Sequence, residues 1–113
     1  MTTIRQMQRE AHENALAKGW WDGITHGDDS TVPEKLCLIH SEVSEALEDF
    51  RNSSMSDKVE ANGKPFGFSS ELADIVIRVM DLCGHLDIDL EAAIQKKHAF
   101  NLTRPPRHGG KRA

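Results

Sequence analysis

Two short stretches of the chain carry carboxylates at helical spacing. Glu42 and Glu45 stand three residues apart with Asp49 one turn further on, and Glu71 and Asp74 repeat the interval after a spacer of 25 residues. Side chains at i and i+3 share one face of a helix, so each pair would project two acids to one side. Four converging carboxylates repel one another and raise each other's pKa. A hard divalent cation relieves that repulsion: Mg²⁺ takes oxygen ligands and commonly binds through carboxylates together with substrate phosphates, and Mn²⁺ suits the same donors. An acidic row is also how a solvated helix face reads, and spacing alone leaves both readings open. A di-iron bundle would need Glu-x-x-His pairs, and none of the six histidines follows a Glu by three residues. Zinc held by Cys37, His40, Cys83 and His85 would require side chains two residues apart on one helix to converge. Both cysteines fall on apolar stripes and are expected to be buried in packing.

These acids must be positioned by helices, and four are legible from spacing and breakers. The first is expected from about Thr3 to Lys18, with Ile4, Met7, Ala11 and Ala15 inward. The second runs from Val32 to about Arg51 behind Thr31 as N-cap, the third from Ser69 or Ser70 to about Leu86, and the fourth from Asp87 or Asp89 to about Leu102. Gly23 to Thr31 and Asn52 to Gly67 read as loops, and no strand alternation is present. Leu36, Ile39, Val43, Ala46, Leu47 and Phe50 form the expected core face of the second helix. The third has two apolar stripes flanking a polar one of Glu71, Asp74, Arg78, Asp81 and His85. Such a helix belongs between two neighbours, one of which could come from another subunit. The expected class is all-α, a four-helix bundle-type protomer that assembles as a homodimer or higher homo-oligomer.

A length of 113 residues predicts a single domain over 1–113, and only six residues are aromatic, which argues against a β-sandwich. There is no apolar run near the roughly 20 residues of a membrane span and no signal-peptide h-region, so a cytoplasmic protein without a membrane partner is expected. Residues 1–95 hold eight bases against 18 acids, whereas residues 96–113 hold six bases and no acid. An acidic body disfavours a stable nucleic-acid partner. Acid clusters beside a short basic segment suit a compact polyphosphate held through a divalent metal. Residues 103–113 read as a basic tail.

The run Leu38-Ile39-His40-Ser41-Glu42-Val43-Ser44-Glu45-Ala46-Leu47, followed by Glu71-Leu72-Ala73-Asp74-Ile75-Val76-Ile77-Arg78, resembles the all-α nucleoside triphosphate pyrophosphohydrolases of MazG type, whose signature is E-x-x-E, a spacer, then E-x-x-D. Gly19-Trp20-Trp21-Asp22 is similar to the Gly-aromatic-Trp that follows the family's first helix. Lys97, Asn101, Arg104-Pro105 and His108-Gly109-Gly110-Lys111 resemble its basic C-terminal segment. The resemblance covers most of the chain, in the single-module form. It implies hydrolysis of (deoxy)nucleoside triphosphates between the α- and β-phosphates, with Mg²⁺ on Glu42, Glu45, Glu71 and Asp74. Lys97, Asn101 and Arg104 would then stabilise charge on the phosphate oxygens, with Arg107 and Lys111 as further contacts or simply part of a solubilising tail. Trp21 is assigned to the nucleotide pocket, Trp20 to packing, and His26 to the pocket mouth. Many family members carry a Glu-Glu doublet where this chain has Ser41; a serine hydroxyl cannot deprotonate water at neutral pH, so Glu45 is taken as the catalytic base, with Glu48 or activation by the metal alone as the alternatives. The competing reading is a non-catalytic helical interaction or regulatory module whose acids form a solvated or partner-binding face.

Overall fold

The computed structural model describes residues 2–52 and 58–106. Most of them lie in four helices: α1 (Ile4–Ala17), α2 (Val32–Asn52), α3 (Phe68–His85) and α4 (Leu90–Asn101). α1 starts on a capping box, in which the Thr3 hydroxyl accepts from the Gln6 N–H and the Gln6 side chain accepts from the Thr3 N–H. It ends at Gly19, whose φ of 81° is the left-handed conformation a Schellman cap requires. The Trp20 N–H then reaches back to the Ala15 carbonyl and the Gly19 N–H to that of Leu16. This cap turns both tryptophans off the end of α1.

Thr31 occupies the N-cap position of α2, since its carbonyl accepts from the Lys35 N–H. Its hydroxyl, however, is buried without a hydrogen bond, so the expected side-chain cap is not made. α3 starts one or two residues before the expected Ser69 or Ser70, because Gly67 (φ 117°) turns the chain into the helix with no side-chain cap. α4 is capped by Asp89, whose carboxylate accepts from the Ala92 N–H at 3.1 Å. Within the expected loop, β1 (Lys58–Val59) and β2 (Pro65–Phe66) pair antiparallel around Asn62-Gly63. Strands of two residues are too short for alternation to register in the sequence.

α3 packs between α2 and α1, and α4 lies chiefly against α1. The expected four-helix bundle is therefore not closed: α4 buries none of its residues. It is held by Arg5, which pairs with Asp89 at 2.9 Å and Glu91 at 2.7 Å. Among the described residues the buried apolar side chains are Ala15, Trp21, Ala46, Met80 and Cys83. The core face expected for α2 is buried only in part, at Ala46 and to a lesser degree Ile39. Leu36, Val43, Leu47 and Phe50 are each about half exposed, and the buried residues of α2 are Glu42 and Ala46. The physical reason is that the acidic row of α2 meets the polar stripe of α3, where each side supplies partners for the other, and the apolar stripe is left outward. α1 keeps most of its expected face, with Ala15 buried, Ile4 and Ala11 half-buried and Met7 exposed, and it buries His12 as well. Gly84 makes room for His12: a Cβ there would lie 2.6 Å from the His12 Cβ, so the helices meet where α3 has no side chain. Cys83 is buried as expected, but Cys37 is exposed. No helix among the described residues is long and apolar enough to cross a membrane.

Candidate functional site

α2 and α3 run in opposite directions across the site, so that Glu45 lies near Glu71 while Glu42 reaches Arg78, seven residues further along α3. One carboxylate oxygen from each of Glu42, Glu45 and Glu71 falls within 4.8 Å of the other two. Glu42 is buried, Glu71 partly buried and Glu45 exposed. Burial foremost, then a proton shared towards Glu42 and the charges of Glu45, Glu42 and Asp74, push Glu71 up to about 7. Its Oε2 is buried and makes no hydrogen bond. An orphaned carboxylate oxygen beside two further carboxylates offers oxygen donors of the kind a hard divalent cation takes. Asp74, expected as the fourth ligand, lies outside the cluster; one turn beyond Glu71, it lines a shared groove with Glu42, Arg78 and Trp20. Loss of solvent and the charge of Glu42 raise its pKa, against the opposing pull of Arg78 and Lys64. Arg78 Nε donates to Glu42 Oε1 at 3.0 Å. Among the described residues no other set of His, Cys, Asp and Glu side chains gathers in this way, so the Cys and His residues weighed for zinc do not converge.

A second cavity, of about 290 Å³, adjoins the acids and shares Trp20 and Arg78 with their groove. Trp21, Lys35, Leu38 and Asp81 complete most of its lining. The tryptophans divide differently from expectation. Trp21 lines the cavity but is only 4% exposed, stacked on His85 with ring centroids 3.9 Å apart, whereas Trp20, expected in packing, is 48% exposed and lines both spaces. Long-range contacts decide this: the Trp21 indole N–H donates to Asp81 Oδ1 at 2.9 Å and, with the His85 stacking, holds the second tryptophan inward. His26, placed at the mouth from sequence, is exposed and hydrogen-bonds the Asp87 carboxylate at 3.0 Å. His85 Nε2 donates to the Asp28 carbonyl at 2.8 Å, fastening the glycine-rich loop to α3. Ser41 donates to the Leu38 carbonyl of its own helix. Lys35, Arg78 and Asp81 had no assigned role in the sequence reading. The available signal was position: Arg78 and Asp81 follow Asp74 by four and seven residues on one stripe of α3.

The basic residues expected at the site are not brought to it within one chain. Lys97, Asn101 and Arg104 are exposed on or just beyond α4 and line neither cavity. The Lys97 ammonium lies 5.7 Å from the centroid of the Phe100 ring. Arg107 and Lys111 fall outside the described residues. No protein-family model matches the chain, and no curated protein or solved structure matches it either.

Proposed function

We propose that this protein is a divalent-metal-dependent hydrolase of (deoxy)nucleoside triphosphates, cleaving between the α- and β-phosphates to give monophosphate and pyrophosphate. The observation that carries this reading is the convergence of Glu42, Glu45 and Glu71 from two helices on one point, with Glu71 Oε2 buried and unpaired. Such a cluster is costly without a cation, because like charges at this range oppose ionisation. Glu42, Glu45 and Glu71 would hold Mg²⁺, or Mn²⁺, with Asp74 positioned on the same groove to join them or to orient a water. The metal, when bound, supplies charge neutralisation for a polyphosphate and a lowered pKa for bound water. Glu45, the most exposed of the three, is suited to accept a proton from an attacking water. Arg78, which already spans the groove and the adjoining cavity, can turn from Glu42 to a phosphate oxygen, since its guanidinium fork matches that geometry.

Lys97, Asn101 and Arg104 would contribute from a second copy of the chain, for which the half-exposed stripe of Leu36, Val43, Leu47 and Phe50 offers a docking face. The decisive experiment is product analysis with a panel of triphosphates and Mg²⁺. Pyrophosphate release that chelation abolishes, and that Glu42→Gln or Glu71→Gln lowers by more than about 100-fold while circular dichroism is unchanged, supports the reading. Orthophosphate as product, or full turnover in both variants, refutes it. Asp74→Asn, outside the three-oxygen cluster, is expected to lose activity less completely than either.

A further inference from the structure

We infer that the cavity beside the carboxylates is a nucleobase pocket selective for amino-bearing bases (cytosine, adenine and guanine over thymine and uracil), with Asp81 as the reading group. This rests on the proposal that the ligand is a nucleotide, and extends it from the phosphates to the base. Asp81 is 7% exposed, yet it is among the residues that line the cavity. Two donors fix it in place: the Trp21 indole N–H at 2.9 Å and His12 Nδ1 at 2.8 Å, both on Oδ1. Because a carboxylate offers no hydrogen, the His12 tautomer facing it carries its proton on Nδ1. Among the described residues no hydrogen bond uses Asp81 Oδ2, and in this proposal that oxygen is the acceptor Asp81 offers a base. His12 is itself locked against Gly84, where no side chain could fit.

The rest of the cavity suits a flat heterocycle better than a phosphate. Its lining is mainly the apolar and aromatic surface of Trp20, Trp21, Leu38 and Leu82, and the half-exposed ring of Trp20 gives any base a face to stack on. Lys35 holds its ammonium 4.4 Å from the centroid of the Trp21 ring, a donor within the same lining. A base seated there directs its phosphates past Trp20 and Arg78, which border both spaces, to the glutamates. Oδ2 can only accept, so it matches an exocyclic NH₂ group. Thymine and uracil flank their single ring N–H with carbonyl oxygens, and a carboxylate facing that edge meets like charge.

The test separates base reading from hydrolysis by using monophosphates without divalent metal. Binding of dCMP, dAMP, dGMP, dTMP and dUMP to the full chain is measured by titration calorimetry, alongside triphosphate turnover. The amino-bearing nucleotides are expected to bind about tenfold or more tightly than dTMP and dUMP. Asp81→Asn keeps an oxygen for Trp21 and His12 but turns an NH₂ group to the cavity, and should abolish or invert the ranking. Equal affinities, a ranking that Asp81→Asn leaves intact, or no binding at all overturns the pocket. A monophosphate ranking without any turnover leaves the pocket standing and removes the hydrolase reading. If Asp81→Asn loses its helical circular dichroism, the ranking of the unaltered protein decides alone.

Discussion

Burial of Glu71, reinforced by the hydrogen bond towards Glu42 and the repulsion of three other acids, holds its proton up to about pH 7 rather than near the ordinary 4.5. Its folded value exceeds its unfolded one, so the folded chain binds the extra proton between these limits. Metal-free stability should therefore fall as pH rises from about 4.5 to about 7, with no further change from this group above that. Thermal unfolding across that range checks the sign, and Glu71→Gln should flatten the fall. A cation must displace the same proton. Mg²⁺ affinity should accordingly rise by up to about tenfold per pH unit below pH 7 and level off above it, with proton release visible by calorimetry in buffers of different ionisation heat. Spacing placed Glu42, Glu45 and Glu71 on facing stripes, and these three do meet. It could not place Asp74 relative to them, because a turn of helix shifts a short side chain by more than its own reach. Nor could it find Asp81 as a cavity residue, since its orientation depends on donors from α1 and from the turn after it.

At the scale of elements, the helices follow from local chemistry and their rotations do not. Thr3 with Gln6, Gly19 and Asp89 mark boundaries that any short window of sequence reveals. The facing of α1 and α2 depends on a long-range contact, His12 against Gly84, and on charge pairing of Glu42 with Arg78. Gly84→Ala tests the first. Alanine favours a helix interior by roughly 1 kcal/mol over glycine, but here its Cβ would lie 2.6 Å from the His12 Cβ, close to rigid backbone. The overpacking term should win, destabilising the protein by about 1–3 kcal/mol in urea denaturation. Because His12 orients Asp81, the same variant should also blunt any base preference. The hairpin of β1 and β2 was hidden for a different reason: two-residue strands are set by the Asn62-Gly63 turn rather than by periodicity.

The whole molecule has a thin core and a broad apolar exterior. Leu36, Val43, Leu47 and Phe50 on α2, with Leu72 and Val76 on α3, are each about 40–55% exposed in the single chain. Exposed apolar side chains in number mark interaction surfaces, and the second copy proposed above would also supply the basic residues of α4. Leu47→Glu should shift the mass seen by light scattering to that of one 12.6 kDa chain and lower turnover with it; an unchanged mass above 12.6 kDa would place the interface elsewhere. Sequence by itself determined the helical class, the helix ends and the carboxylate pairs, because these depend on groups within a few residues of one another. Only tertiary structure decided which stripe of each helix turns inward, which oxygens meet, and that Trp20 rather than Trp21 stays open to solvent. Those outcomes depend on contacts between residues sixty or more positions apart, His12 with Gly84 and Trp21 with Asp81, whose geometry no local pattern contains.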